Sequence, residues 1–269
     1  MNTTVIMVSF KSDELLFKSI ENFNQETKII IIENSKNEEL KNKIENSFKN
    51  TSVILNNNKG FGNAANLGAS IATTKYLLFC SPDNIIENNG ISKLEKIGKD
   101  LNDQFIILNL SDKNSKSEQL YKINKTQGIL CFFLIKKKFI EVGGFDEKFF
   151  LYYEDTDLVK RVLKTGENIY QVPVEYTNLQ GSHDKKYNEP IEVNRNWHLM
   201  WSKFYFKSKH YGYFYALLSA IPYLLRSIFK IIICFKNTKE REIYHARASG
   251  LYNSIILKDS WYRPKINQK

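Results

Sequence analysis

The chain has 269 residues, 42% of them hydrophobic and 25% charged, which is the balance of a folded protein and excludes a disordered or low-complexity one. Lys and Arg outnumber Asp and Glu by 39 to 29, and the surplus of +10 either favours anionic partners or decorates a solvated lysine-rich surface. No stacking platform or recognition motif accompanies the charge, so nucleic acid is not an expected partner.

Cys80, Cys131 and Cys234 form no CxxC pair and no zinc spacing, which fits reduced thiols in a reducing compartment. The opening MNTTVIMVSF enters a strand-like run at once and is read as carrying no signal peptide.

In chain order, residues 4–10 (TVIMVSF) read as a buried strand. Ser12 suits an N-cap, with Leu15, Leu16, Ile20 and Phe23 forming the apolar stripe of a helix. A second strand is expected at 28–32, a polar exposed helix at 37–49, a third strand at 52–55, a helix at 62–72 and a fourth strand at 75–80. Strand and helix alternating in this way imply an α/β fold with a mostly parallel sheet covered by helices on both faces. Ligands of such sheets bind beyond the carboxyl ends of the strands, which points to Ser9–Ser12, Glu33–Ser35, 56–62 and 81–84. Residues 110–127 read as a surface loop, and 129–135 as an apolar stretch. From about 196 the chain turns aromatic and basic. Pro222, Arg226 and Lys230 break an otherwise long apolar run, which suits an interfacial helix pair better than a membrane-spanning helix.

Three segments carry chemistry. Residues 143–161 (GGFDEKFFLYYEDTDLVKR) hold Asp146, Glu147, Glu154, Asp155 and Asp157 among five aromatic side chains. They decorate the first turn of a helix, or else include a carboxylate whose desolvation makes it a useful base. Residues 60–65 (GFGNAA) match a dinucleotide fingerprint, but they follow the third strand rather than forming the first strand–helix turn. The third segment, SPDN at 81–84, is an ordinary turn or places Asp83 to bind a hard cation bridging two phosphates.

Together with VIMVSFKS, IIIENSKN, NKGFGNAANLGA and LLFCSPDN, the 143–161 segment resembles glycosyltransferase family 2, in particular its rhamnosyltransferase-like branch, over roughly residues 3–185. The resemblance implies a GT-A fold, Rossmann-like, with a mostly parallel central sheet flanked by helices and a helical, basic-aromatic C-terminal appendage. It implies a catalytic domain over 1–195, with a nucleotide-sugar half at about 1–100 and an acceptor half at about 101–195, followed by a membrane-associating region at 196–269. The activity implied is inverting transfer of a sugar, rhamnose or another hexose, from a nucleoside-diphosphate sugar to a hydroxyl of a polysaccharide or polyprenyl-diphosphate-linked glycan. Mg²⁺ or Mn²⁺ would assist. The setting implied is cytoplasmic, peripheral at the inner, acidic face of the plasma membrane.

Carried over by position, Asp155 would be the general base. Ser9, Glu33, Asn58, Gly62, Asn66 and Asp83 would bind the nucleotide sugar, with Asp83 also on the metal, and Glu154 would support the acceptor site. The sequence departs from the family in having one acid in SPDN, Glu33 where Asp is usual, and no His at the position taken by Asn178. His183, just beyond it, is the alternative metal ligand. A degenerate GT-A scaffold and a nicotinamide-dependent oxidoreductase remain competing readings.

Overall fold

The computed structural model describes residues 2–115, 119–179, 188–234 and 237–260. Their contacts divide into two compact units. The first comprises Met1–Asp146 and Asp155–Lys185; the second comprises Glu147–Glu154 and Lys186–Lys269.

The first unit is built on strands β1 (Thr3–Ser9), β2 (Lys28–Glu33), β3 (Thr51–Leu55), β4 (Tyr76–Cys80), β5 (Asn84–Ile86), β6 (Ile107–Asp112), β7 (Tyr121–Lys122), β8 (Phe132–Ile135) and β9 (Ile169–Asn178). Among the described residues they form one sheet in the order β3-β2-β1-β4-β8-β6-β9-β5, with β7 also paired to β9. β1 to β4 are mutually parallel, β8 runs against both β4 and β6, and β6 and β9 are parallel. The fold is therefore α/β with a mostly parallel, mixed sheet.

Continuous apolar runs give buried strands because both faces of the sheet are covered. Val5 and Met7 of β1, Ile29 and Ile31 of β2, and Leu78 and Cys80 of β4 enter one core. That core is closed by α1 (Asp13–Glu21), α2 (Glu38–Ser47) and α4 (Gly90–Asp100), through Leu16, Leu40 and Leu94. The alternate residues, Ile6, Ile30, Ile32, Leu77 and Phe79, enter a second core. α3 (Phe61–Ile71), α5 (Lys136–Glu141) and α6 (Glu154–Thr165) cover it through Ala65, Phe139 and Leu158. Ser12 stands at the N-cap of α1 without a side-chain capping bond; its hydroxyl donates to Phe10 O at 3.1 Å.

The segment expected to be a loop at 110–127 begins as the end of β6 and contains β7. β6 and β9 are not apparent from apolar periodicity, because their facing polar side chains are buried. Asn109 Nδ2 donates to Gln171 Oε1 at 2.7 Å, Gln171 Nε2 to Ser111 Oγ at 2.8 Å, and Ser111 Oγ to Val172 O at 2.9 Å. This network sits where the β6–β9 register shifts.

Among its described residues the second unit contains α7 (Asn188–Tyr211), α8 (Tyr213–Ile233) and α9 (Thr238–Ile255), and the apolar run expected to form a helix pair is the single helix α8. α8 runs unbroken through Pro222, Arg226 and Lys230. Close approach of α9 to α7 requires Gly250, since a Cβ there would lie 2.2 Å from Trp197 O. Residues 147–154 pack on α7. Ser202 Oγ donates to Leu151 O at 2.8 Å, and the Phe149 and Phe150 rings lie 4.8 and 4.4 Å from those of Tyr205 and His198.

Candidate active site

Four parallel strands end along one edge of the first unit's sheet. Ser9, closing β1, stands in register with Glu33, closing β2, and Glu33 with Leu55, closing β3. On the other side of β1, Met7 pairs with Cys80, which closes β4. Chain order reverses between β1 and β4, and open α/β sheets bind ligands outside the carboxyl ends at such a point. Ser9 and the turn carrying Asp83 flank it.

Two buried donors near this point, Ser9 Oγ at the end of β1 and Asn84 Nδ2 at the start of β5, meet no partner among the described residues. Native proteins rarely leave buried polar atoms unsatisfied without a reason, and a polar ligand is one. Asn84 is otherwise held firmly: its Oδ1 accepts from Asn178 Nδ2 at 3.1 Å, and its carbonyl accepts from Ser19 Oγ at 3.1 Å.

Glu33 is fully buried. Its carboxylate accepts from Ser35 N at 3.0 Å, from Asn37 N at 2.8 Å and from the Ser35 hydroxyl. The side chain thus folds back into the turn after β2. Two neighbours within the ranges 33–35 and 56–62 bridge the ends of β1, β2 and β3: Asn56 Nδ2 donates to Asn34 Oδ1 at 2.9 Å, and Asn34 N donates to Ser9 O at 2.9 Å. The asparagines of IIIENSKN and LNNNKG were the available signal.

The glycine-rich segment after β3 opens α3. Gly60 adopts φ +106°, and Asn58 Oδ1 accepts from Gly60 N at 3.2 Å. A Cβ on Gly62 would come within 3.1 Å of Phe145 Cβ. Asn66 clamps the same residue, donating from Nδ2 to Phe145 O and accepting at Oδ1 from Phe145 N, both at 2.9 Å. Asn58, Gly62 and Asn66 therefore shape this edge by fixing backbone. Gly144, at φ +61°, lies so close that a Cβ would stand 2.7 Å from Asn66 Oδ1. Arg161 holds the same segment from α6: its guanidinium donates to the carbonyls of Val142 and Gly144, while Asp157, wholly buried, accepts from Nε at 2.7 Å.

Asp83 follows β4 and is buried; its carbonyl accepts from Leu179 N at 2.8 Å. Burial pushes the Cys80 thiol up, and the Asp83 charge adds to the push. The Cys131 thiol, at the entrance to β8, is raised first by burial, then by Cys80 and Asp83. Tyr176, a β9 residue hidden from the sequence reading because β9 was, has its hydroxyl raised by burial and then by Cys131, Asp112 and Asp83. Asp83 is thus tied to the end of β9 through Leu179 N, and its charge bears on Cys80, Cys131 and Tyr176.

Asp155 meets the same entrance from the other direction. Its Oδ2 accepts from Ile129 N at 2.7 Å, two residues before Cys131, and Thr156 Oγ1 donates to Oδ1 at 3.2 Å. Gly128 permits the approach, since a Cβ there would lie 3.0 Å from Oδ2. Desolvation raises the Asp155 carboxyl above the usual carboxylate range, against hydrogen bonds from Ile129 and Thr156 that lower it.

Glu154 belongs to the second unit and is buried. Tyr152 and Tyr153, just before it, adopt φ +69° and +68°, a conformation non-glycine residues rarely hold and one that clusters at functional sites. Burial raises the Tyr152 hydroxyl; Arg195 lowers it and Glu154 raises it further. His183 lies outside the described residues. Among those described, no three His, Cys, Asp or Glu side chains group as a metal site.

Residues 4–161 match the family model described as glycosyl transferase family 2. Rhamnosyltransferase WbbL of Escherichia coli (strain K12) is 24% identical over 223 residues, covering 68% of this chain and 84% of that protein. The crystal structure of S. aureus TarS 1-349 superposes with a TM-score of 0.52 at 11% identity, covering 98% of this chain and 93% of that one, a likeness of fold. With a family match over more than half its length, spanning the strand ends at Ser9 and Glu33, the turn of Asp83 and the start of α6, this chain belongs to glycosyl transferase family 2 and is a glycosyltransferase.

Proposed function

We propose that this glycosyltransferase moves a sugar, rhamnose or another hexose, from a nucleoside-diphosphate sugar to a hydroxyl of a polysaccharide or lipid-linked glycan, with inversion. The carrying observation is Asp155: a desolvated carboxylate anchored by the Ile129 N–H, at the strand entrance whose next thiol feels Asp83. A carboxylate of raised pKa is a competent general base, because its proton affinity comes closer to what deprotonating a hydroxyl demands. The acceptor oxygen gives its proton to Asp155 and bonds to the anomeric carbon. The bond from that carbon to the diphosphate breaks on the opposite face, and the electron pair leaves with the diphosphate.

Ser9 Oγ and Asn84 Nδ2 are the free donors for the nucleotide sugar, with the Asn34–Asn56 bridge beside them. Glu33, Asn58, Gly62 and Asn66 hold the surrounding turns in place, and Glu154 supports the acceptor side. One buried carboxylate, Asp83, fits Mg²⁺ or Mn²⁺, since such ions are commonly held by one or two carboxylates together with substrate phosphates and water. A divalent cation there would offset the charge that develops on the diphosphate. His183 is the second candidate ligand.

In this reading residues 1–195 carry the chemistry, with about 1–100 for the donor and 101–195 for the acceptor. Residues 196–269 hold the enzyme, cytoplasmic and peripheral, to the inner face of the plasma membrane, where a polyprenyl-diphosphate-linked acceptor would lie. The test is calorimetry with UDP and dTDP, with and without Mn²⁺, on wild type and Asp83→Ala, with NAD as control. Metal-dependent binding of one diphosphate, lost in Asp83→Ala, is expected. Binding of NAD alone would turn the reading toward an oxidoreductase, and binding of none toward a scaffold.

A further inference from the structure

The positive charge of this protein is segregated. Residues 186–269 carry fifteen Lys and Arg against five Asp and Glu, so this stretch alone accounts for the surplus of +10, and residues 1–185 are neutral in sum. The same stretch carries an apolar face. On α8, Phe214, Leu218, Ile221, Leu225, Ile228 and Ile232 recur at alternating steps of four and three, which places them on one side of a helix. All six are exposed, Phe214 at 80%, Leu218 at 69% and Ile232 at 68%. An apolar stripe along 21 residues exceeds what soluble monomers ordinarily present to water.

Phe229 and Ile233, also exposed, widen this apolar face toward Arg226, an exposed cation at its flank, and Lys230 follows one turn on, nearer the packed side. Tyr223, beyond that flank toward the packed side, carries the Lys203 ammonium 3.9 Å above its ring and that of Lys207 at 5.8 Å.

By length and composition α8 could cross a bilayer. Its other side, however, packs on α7 and α9 through Ala216 and Ala220, and cations flank that packing. Lys203 and Lys207 come from α7, and Lys230 is paired with Glu240 of α9 at 3.2 Å. Spanning would drag these charges into hydrocarbon, at high cost. A second copy of the chain is disfavoured as the occupant, because it would bring a like surplus of positive charge against this one.

We propose that α8 lies in the plane of an anionic lipid surface, its stripe sunk to the level of the upper acyl chains and Lys203, Lys207 and Arg226 on lipid phosphates. This deepens the membrane reading above by naming the face, the depth and the lipid charge, and it does not depend on which sugar is transferred. The test is co-sedimentation of the full chain with phosphatidylglycerol or phosphatidylcholine vesicles. Binding to the acidic vesicles should be at least tenfold tighter and weaken with salt. Phe214→Ser with Leu218→Ser and Leu225→Ser should lose at least tenfold, with unchanged circular dichroism and unchanged nucleotide binding in solution. Lys207→Gln with Arg226→Gln should lose the preference for acidic lipid. Leu218→Trp, Leu225→Trp and Ile232→Trp should be quenched equally by shallow brominated lipids, above the wild-type background.

Equal binding to both vesicles, or a Leu225→Trp much deeper than the other two, would overturn the proposal. So would absence of vesicle binding together with a dimer that the triple serine variant dissociates. Because donor binding is read separately in solution, failure of the lipid proposal is distinguishable from failure of the transferase reading.

Discussion

At the scale of single residues, the proposed function separates groups that would touch a ligand, Asp155 foremost, from groups that hold the backbone for it. Because desolvation raises the Asp155 carboxyl, the acidic limb of kcat/KM against pH should lie above the ordinary carboxylate range, and activity should fall as pH drops through it. Asp155→Asn should cost about 10²–10⁴ in kcat and abolish that limb, as steady-state assays across pH would show. Stability carries the opposite sign. A carboxyl raised in the folded state destabilises the fold above that raised value, and the penalty fades as pH falls below its unfolded value. Asp155→Asn should therefore melt no lower than wild type at neutral pH, with its advantage shrinking in acid; a Tm clearly below wild type at neutral pH would contradict desolvation as the dominant influence. Gly144 is of the second kind. Gly144→Ala forces a left-handed alanine toward Asn66 Oδ1 and should destabilise by about 1–3 kcal/mol, measured by urea unfolding.

At the scale of elements, β1 to β4 were legible because a strand buried on both faces must be apolar throughout, and runs such as IIII and YLLF admit little else. β6 and β9 were not, because Asn109, Ser111 and Gln171 satisfy one another across the sheet and so remove the apolar signal. The same pairing makes them sensitive. Asn109→Ala strips Gln171 Oε1 of its donor and should cost about 1–3 kcal/mol, whereas Asn109→Leu with Gln171→Leu should recover part of the loss in the same unfolding experiment. That the candidate residues fall at strand ends and in 143–161 was legible, but the hydrogen bonding of each atom was not. Spacing alone does not show that the Glu33 carboxylate folds back onto Ser35 and Asn37, or that Asn66 binds the Phe145 backbone. Likewise the unbroken α8 is not apparent from Pro222, Arg226 and Lys230, since a helix supported along one side tolerates residues that would break it alone.

At the scale of the whole molecule, the chain path decides what can be separated. Residues 147–154 lie in sequence between two parts of the first unit, yet they pack with α7 of the second. Phe149 and Phe150 are both buried, and the backbone between Phe150 and the start of α6 passes through two left-handed tyrosines. A truncation after residue 185 removes Tyr205, His198 and Ser202, the partners of this segment, and leaves two large aromatic side chains in water. It also removes what keeps Tyr152 and Tyr153 in a conformation they would not hold unaided, immediately before Glu154 and Asp155. The fragment 1–185 should therefore be poorly soluble and inactive, although it contains Asp83, Asp155 and the entire sheet. Phe149→Ser with Phe150→Ser should restore solubility to the fragment, read by size-exclusion chromatography, because it removes the exposed aromatic surface. It should not restore transfer, because the tyrosine pair still lacks its support. A soluble, fully active 1–185 would show that Asp155 is positioned by Ile129 and Thr156 alone, and that the second unit's claim on residues 147–154 has no bearing on the chemistry.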